Sequence, residues 1–139
     1  MNEEIAEMMN ELDEKKLLHL NSSIIKDAKN NILQRMSFER SELKHYHKIL
    51  KGYRFIDELD ELSLGRHIRW FDITKVDNLK LYAGAILLDI EYTTDNIYLV
   101  CKGYRNQMFK IKMSKIVLFQ KLTSQELLLI QILDYIHDK

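Results

Sequence analysis

Residues 63–73 read SLGRHIRWFDI, and the reading of this stretch decides the fold. Upstream of it, apolar residues recur every three or four positions. From Gly65 onward the period becomes two, with Ile68 and Trp70 on one side of an extended chain and His67, Arg69 and Phe71 on the other. A segment of this kind, opened by a glycine and rich in β-branched and aromatic residues, reads as a strand with Ile68 and Trp70 in a core. Arg66, His67 and Arg69 are then presented outside.

Further strands up to residue 122 show the same period. Ala85–Tyr92 alternates Ile86, Leu88, Ile90 and Tyr92 against Leu87, Asp89 and Glu91, which predicts a strand with the even-numbered set inward. The cluster Thr93-Thr94-Asp95-Asn96 is a turn, and IYLVCK (97–102) is another strand. After Gly103–Asn106, QMFKIKM puts Phe109, Ile111 and Met113 inward and Lys110 and Lys112 outward. Only Ser114-Lys115 separates this strand from IVLFQKL, 116–122. That link lacks the glycine or Asn-Gly of a tight hairpin, so a single 3₁₀ turn redirecting the chain is expected. Five short strands in this order predict a small barrel resembling the SH3-like or Tudor-like type. Thr123-x-x-Glu126 is a capping box that opens a strongly apolar terminal helix with Leu127, Leu128, Ile130, Leu133 and Ile136, expected to pack on the barrel or on another chain.

Toward the N-terminus the chain has no proline, and Gly52 is its first glycine. Apolar positions Ile5, Met8, Leu12, Leu17, Leu20, Ile24, Ala28, Ile32 and Met36 predict amphipathic helix from Asn2, with a break near Asn21-Ser22-Ser23. Met36, Glu39, Leu43, Tyr46, Leu50 and Tyr53 fit a heptad seam of the coiled-coil kind apart from one charge, ending at Gly52, and FIDELDEL (55–62) adds one or two helical turns. The expected class is therefore α+β, divided into a helical interaction region (1–62), a five-stranded barrel (63–122) and a C-terminal helix (123–139).

At 139 residues, one domain with an appendage can bury a core without disulfides or metal. Cys101 is the single cysteine, which excludes an internal disulfide and a multi-cysteine zinc site. No apolar run reaches the roughly 20 residues of a membrane span, and MNEEIAEMMNELDE is too acidic for a secretory signal. The expectation is a cytoplasmic protein. The net charge of zero hides a division: residues 63–122 carry ten Lys or Arg against five Asp or Glu, while residues 1–16 carry two against six. A basic module with acidic ends suits an acidic partner or self-association.

Catalytic constellations are not expected. His45 and His47 lie about 200° apart on a helix and cannot chelate one ion. Asp57, Glu58, Asp60 and Glu61 interleave with Leu59 and Leu62 as the charged exterior of a short helix. No G-x-G-x-x-G or G-x-x-x-x-G-K-S/T is present. No catalytic residue, cofactor or metal is therefore assigned. The candidate partner-binding face comprises Arg66, Arg69, Lys102, Arg105, Lys110, Lys112 and Lys115, with Tyr98 and Tyr104 as stacking surfaces. The candidate helix interface comprises Leu43, Tyr46, Leu50 and Tyr53. A methyl-lysine cage would draw on Trp70, Tyr82, Tyr92 or Tyr98, although their inward phase points Trp70 and Tyr92 to core packing.

The run SLGRHIRWFDI, LYAGAILLDIEY, IYLVCK, FKIKM and IVLFQK resembles a small SH3-like module found in proteins of large double-stranded DNA viruses. There, a strand reading roughly I-R-Y/W-F precedes a glycine-containing strand and three short ones. The resemblance covers residues 63–122 and implies an assembly or virion-associated role. The leading expectation is a non-enzymatic structural protein that docks through its helices and basic barrel into a larger assembly, a viral particle component, with other proteins and itself as partners. The alternative is a nucleic-acid-binding module using the same lysines.

Overall fold

The computed structural model describes residues 21–137 and, before them, Glu3, which is helical. The class is α+β, with three helices and a six-stranded antiparallel sheet over residues 21–137. The chain divides into two compact units, the first formed by the residues up to Arg54 together with those from Leu122, the second by Phe55–Lys121. The amphipathic stretch expected over Ile5–Leu20 lies outside the described residues.

In the first unit, α1 (Ser22–Arg35) begins where the Asn21 side chain accepts hydrogen bonds from the Ser23 and Ile24 amides, satisfying two otherwise orphaned donors. Ile25, Lys29 and Leu33, four apart, form its buried stripe. The helix stops at Met36, because Ser37 takes a left-handed φ of 60°. A fresh capping arrangement then opens α2 (Arg40–Ile49), with the Glu42 carboxylate accepting from the Glu39 amide. The heptad seam read over Met36–Tyr53 is thus interrupted: Met36 caps α1, Glu39 caps α2, and Tyr53 belongs to a strand. The capping box at Thr123 and Glu126 forms as expected and opens α3 (Ser124–His137). This helix packs against α1 within the same unit, where Asp134 accepts from the Ser22 amide at 3.2 Å.

The strands are β1 (Tyr53–Ile56), β2 (His67–Asp72), β3 (Ala85–Tyr92), β4 (Ile97–Lys102), β5 (Met108–Lys112) and β6 (Ile116–Lys121). Five of them match the sequence expectation. β1 replaces the helical reading of Phe55 and Ile56, and only Leu59–Glu61 keeps a helical turn, of 3₁₀ type. The extended segment Tyr53–Ile56 buries Tyr53, Arg54 and Ile56, a result that alternation over four residues could not distinguish from a helix face. The two units divide within this strand, at Arg54.

The strand order is β1-β6-β2-β3-β4-β5. β5 and β6 are joined by one 3₁₀ turn, Met113–Lys115, yet β2, β3 and β4 lie between them. In a flat sheet that separation would be about 19 Å at roughly 4.8 Å per strand. Three linking residues reach at most about 14 Å when fully extended, and less in a 3₁₀ turn. The sheet must therefore curl, bringing the end of β5 round toward β2 and β6. The Lys115 carbonyl accepts from the Ile73 amide at 2.9 Å, just past the end of β2.

Inside the curl lie Ile68, Trp70, Leu87, Leu99, Cys101 and Leu118, with Phe109, Ile111 and Met113 packed against them. Burial pushes the Cys101 thiol up to about 11, so it behaves as a small hydrophobe. Phe71, expected outside, is fully buried on the other face of β2, edge-on to Phe119. The phase of β3 also differs from the sequence reading. Ala85 and Leu87 point inward, whereas Ile86 and Leu88 are exposed. A bulge between Leu87 and Asp89 then inserts one residue, after which Ile90 packs against the core. Tyr92, expected inside, is 67% exposed.

Gly84 has φ +110°, and a Cβ there would meet the Ile68 carbonyl oxygen at 2.6 Å and the His67 ring at 2.5 Å. Gly65 has φ +83° with open space around it. Gly84→Ala should cost roughly 3 kcal/mol from strain plus overpacking, and Gly65→Ala about 1 kcal/mol from strain alone. Urea unfolding followed by Trp70 fluorescence tests this, and equal losses for the two variants would contradict the close approach.

Candidate functional site: an aromatic groove rimmed by lysines

The chain after β2 turns back along it. Leu81 bridges Phe71, the Tyr82 amide donates to the Trp70 carbonyl at 2.9 Å, and Arg69 Nε donates to the Tyr82 carbonyl at 3.0 Å. These bonds set the Tyr82 ring on the Trp70 indole, 5.4 Å between centroids and 14° from parallel. Phe109 of β5 meets the indole from another side at 6.0 Å and 48°. Because β5 is brought round by the curl, these rings and Tyr98 line a concave groove of about 640 Å³ together with Ile111, Ile116, Asp72, Lys110, Lys112 and Lys115.

Two more cations attend Tyr82. Lys75 Nζ donates to its hydroxyl at 2.9 Å, and the Lys75 and Lys80 ammoniums stand 5.7 Å and 5.5 Å from the ring centroid. The bond to Tyr82 holds the Lys75 ammonium above its ordinary pKa. Asp72 is held below the usual carboxylate range, chiefly by the Thr74 hydroxyl, with Lys75 and Lys115 adding attraction. It is thus ionised and engaged locally. Lys110 pairs with Glu91 at 2.8 Å. Lys112 and Lys115 have no carboxylate in ion-pair contact among the described residues.

The seven basic residues read from the sequence separate into groups. Lys110, Lys112 and Lys115 line the groove. Arg69 is half-buried and braces Tyr82, and Arg66 donates to the Lys121 carbonyl at 3.2 Å, so both are engaged with the backbone. Lys102 is half-buried on β4 opposite Met108. Arg105 takes a left-handed φ of 56°, its guanidinium 5.2 Å from the ring of Tyr104, which is 80% exposed. Neither Lys102 nor Arg105 lines the groove. In the helix seam, Leu50 and Tyr53 are buried, while Leu43 and Tyr46 are half-buried, with Tyr46 packed on Phe38 at 4.7 Å. Of the four cage candidates, Trp70, Tyr82 and Tyr98 line the groove. Tyr92 lines a separate cavity of about 670 Å³ with Phe55, Asp57 and Asp95, whose charged lining residues are both carboxylates.

The sequence reading missed Lys75 and Lys80, since they sit in the irregular stretch after β2, where no periodicity assigns a face. It also placed Phe109 in the core without the groove that the curl creates beside it. Among the described residues no group of three or more His, Cys, Asp or Glu is placed to hold a metal ion, and no helix is long and apolar enough to cross a membrane. Comparison with protein-family models, with curated proteins and with solved structures finds no match.

Burial holds the His67 imidazole below its ordinary 6.5, with Lys121 and Arg69 adding repulsion. His47 is lowered likewise by burial and then by Lys29. A depressed histidine pKa means that the unfolded chain takes up the proton first, so this stability is present above pH 6.5 and is lost as pH falls through the folded-state values. The urea midpoint should therefore drop between roughly pH 7.5 and 5.5, and the drop should shrink in His47→Asn/His67→Asn. An unchanged slope in the double variant would refute the assignment.

Proposed function

We propose that this chain is a non-enzymatic binding protein that docks into a larger assembly, with its curled sheet acting as an SH3-like barrel and the aromatic, lysine-rimmed groove as its partner site. On the resemblance of residues 63–122, that assembly is a viral particle, and the helices supply further contacts with proteins or with a second copy. The observation that carries this reading is the meeting of Trp70, Tyr82 and Phe109 with Lys112 and Lys115 in one concavity. Rings alone would favour a cation. Here Lys75 and Lys80 already occupy that role at Tyr82, so a methylated lysine would meet like charge and an anionic partner is selected. An SH3-type polyproline ligand finds no acidic rim along this groove.

The half-buried rings of Tyr82, Tyr98 and Phe109, interleaved with lysines, also favour a second reading, in which the anionic partner is a single strand of nucleic acid stacked on them. The two readings separate experimentally because Trp70 is the only tryptophan and lines the groove. Under the docking reading, poly-glutamate perturbs Trp70 fluorescence and an oligothymidylate does not. Under the strand reading, the oligothymidylate quenches Trp70, its affinity falls steeply with salt, and Lys112→Ala/Lys115→Ala lowers the salt slope by about two. Absence of any Trp70 response to either polyanion at low salt would remove the groove as a partner site.

A further inference from the structure

The first unit contains a cationic cleft independent of the groove. We propose that the cleft between α1 and α2 binds a phosphate dianion, free or as a small phosphomonoester. It measures about 490 Å³ and is lined by Lys26, Asp27, Lys29, Asn30, His47 and Lys51. Lys29 is its fixed point. The residue is nine-tenths buried, and its Nζ donates to the Leu50 and Tyr53 carbonyls, both at 3.0 Å. An ammonium has three N–H donors. Two are spent on the backbone, at the end of α2 and the start of β1, which leaves one for the cleft that the side chain lines.

A lysine tied down in this way is already ordered, so an arriving anion does not have to restrict its rotamers. His47 Nε2 lies 3.2 Å from Asn30 Oδ1. With Nε2 as the donor in this contact, the Asn30 amide group is left to donate elsewhere. Lys26 and Lys51 are exposed at the mouth and contribute mobile charge. Asp27, the single carboxylate of the lining, supplies an acceptor for a protonated phosphate oxygen or for the hydroxyl of an esterified alcohol. One buried ammonium, two peripheral ammoniums and the Asn30 amide, oriented by His47, form a donor set suited to a tetrahedral oxyanion.

The test uses the full chain, titrated with inorganic phosphate, with glycerol phosphate and with chloride at matched ionic strength. The His47 ring and Asn30 amide resonances are followed by NMR. Saturable shifts with phosphate, and no saturation with chloride, are the expected result. A response to both phosphate probes marks a monoester site, and a response to inorganic phosphate alone marks a site for the free ion. Lys26→Ala/Lys51→Ala changes only exposed side chains and should weaken phosphate binding by roughly tenfold or more. If phosphate acts no differently from chloride, or if the double variant binds as tightly as the parent, the proposal is wrong. Neither result depends on the groove of the sheet, whose readout is Trp70.

Discussion

The second unit depends on a length constraint. Met113–Lys115 must carry the chain from one edge of the sheet to a place beside β2 and β1, and a three-residue link can do so only if the sheet bends back toward itself. Everything of functional interest there follows from that bend. It encloses Ile68, Leu99 and Leu118 as a core, and it brings Phe109 of β5 against Trp70 of β2, strands at non-neighbouring places in the order. The link itself carries Lys115, so the turn that forces the curvature also delivers a cation to the rim of the resulting groove. A longer, flexible loop would remove the constraint and could leave the sheet flatter, with the rings on an open face.

The interior of the curl is kept regular by two local devices. The bulge at Leu87–Asp89 lets β3 change which parity faces the core, so Leu87 and Ile90 both contribute to it. A bulge also increases local twist, which assists the bending that the short link demands. The buried Gln120 side chain is satisfied at both ends: its oxygen accepts from the Ser63 amide and its nitrogen donates to the Glu61 carbonyl. An apolar residue of the same volume would leave two loop groups unpaired inside, at a cost of about 1–3 kcal/mol each. The amide therefore fixes the irregular approach to β2, and with it the register that places Trp70.

How much of this was legible in the sequence follows from the range of the interactions involved. Short-range features read well: the alternation in 97–102 and 108–112, the 3₁₀ link and the Thr123–Glu126 box all depend on residues within a few positions of each other. The β3 phase did not, because a bulge adds one residue to an otherwise uninterrupted alternation and its position depends on pairing with β4. Phe71 was misplaced because strict alternation assumes one buried face and β2 buries both, and Tyr92 because it lies at the end of β3, exposed although it shares the parity of the inward Ile90. The helix seam over Met36–Tyr53 looked continuous because its apolar spacing is regular, yet a left-handed Ser37 breaks it, and no periodicity reports that. The groove joins residues from 70 to 116. Its basic half was visible as lysines on a strand, whereas its membership depended on a curvature that composition does not encode. Lys75 and Lys80 entered only through the return of the chain to Tyr82.

The charge of the partner proposed for the groove follows from adding small terms. A cation over an exposed tyrosine gains about 0.5–1 kcal/mol, and a pair of unit charges near 4 Å in water is worth about 1 kcal/mol. For an ammonium ligand, the ring attraction at Tyr82 is opposed by Lys75 and Lys80 at the same ring and by Lys112 and Lys115 on the rim. Four repulsions of that order outweigh one attraction, and Asp72, already committed to Thr74, returns little. For an anion every lysine term changes sign, while the rings still offer flat apolar surface to a planar group. On the proposed reading the groove therefore discriminates by charge first and by shape second, and salt, which screens the first and spares the second, separates the two contributions.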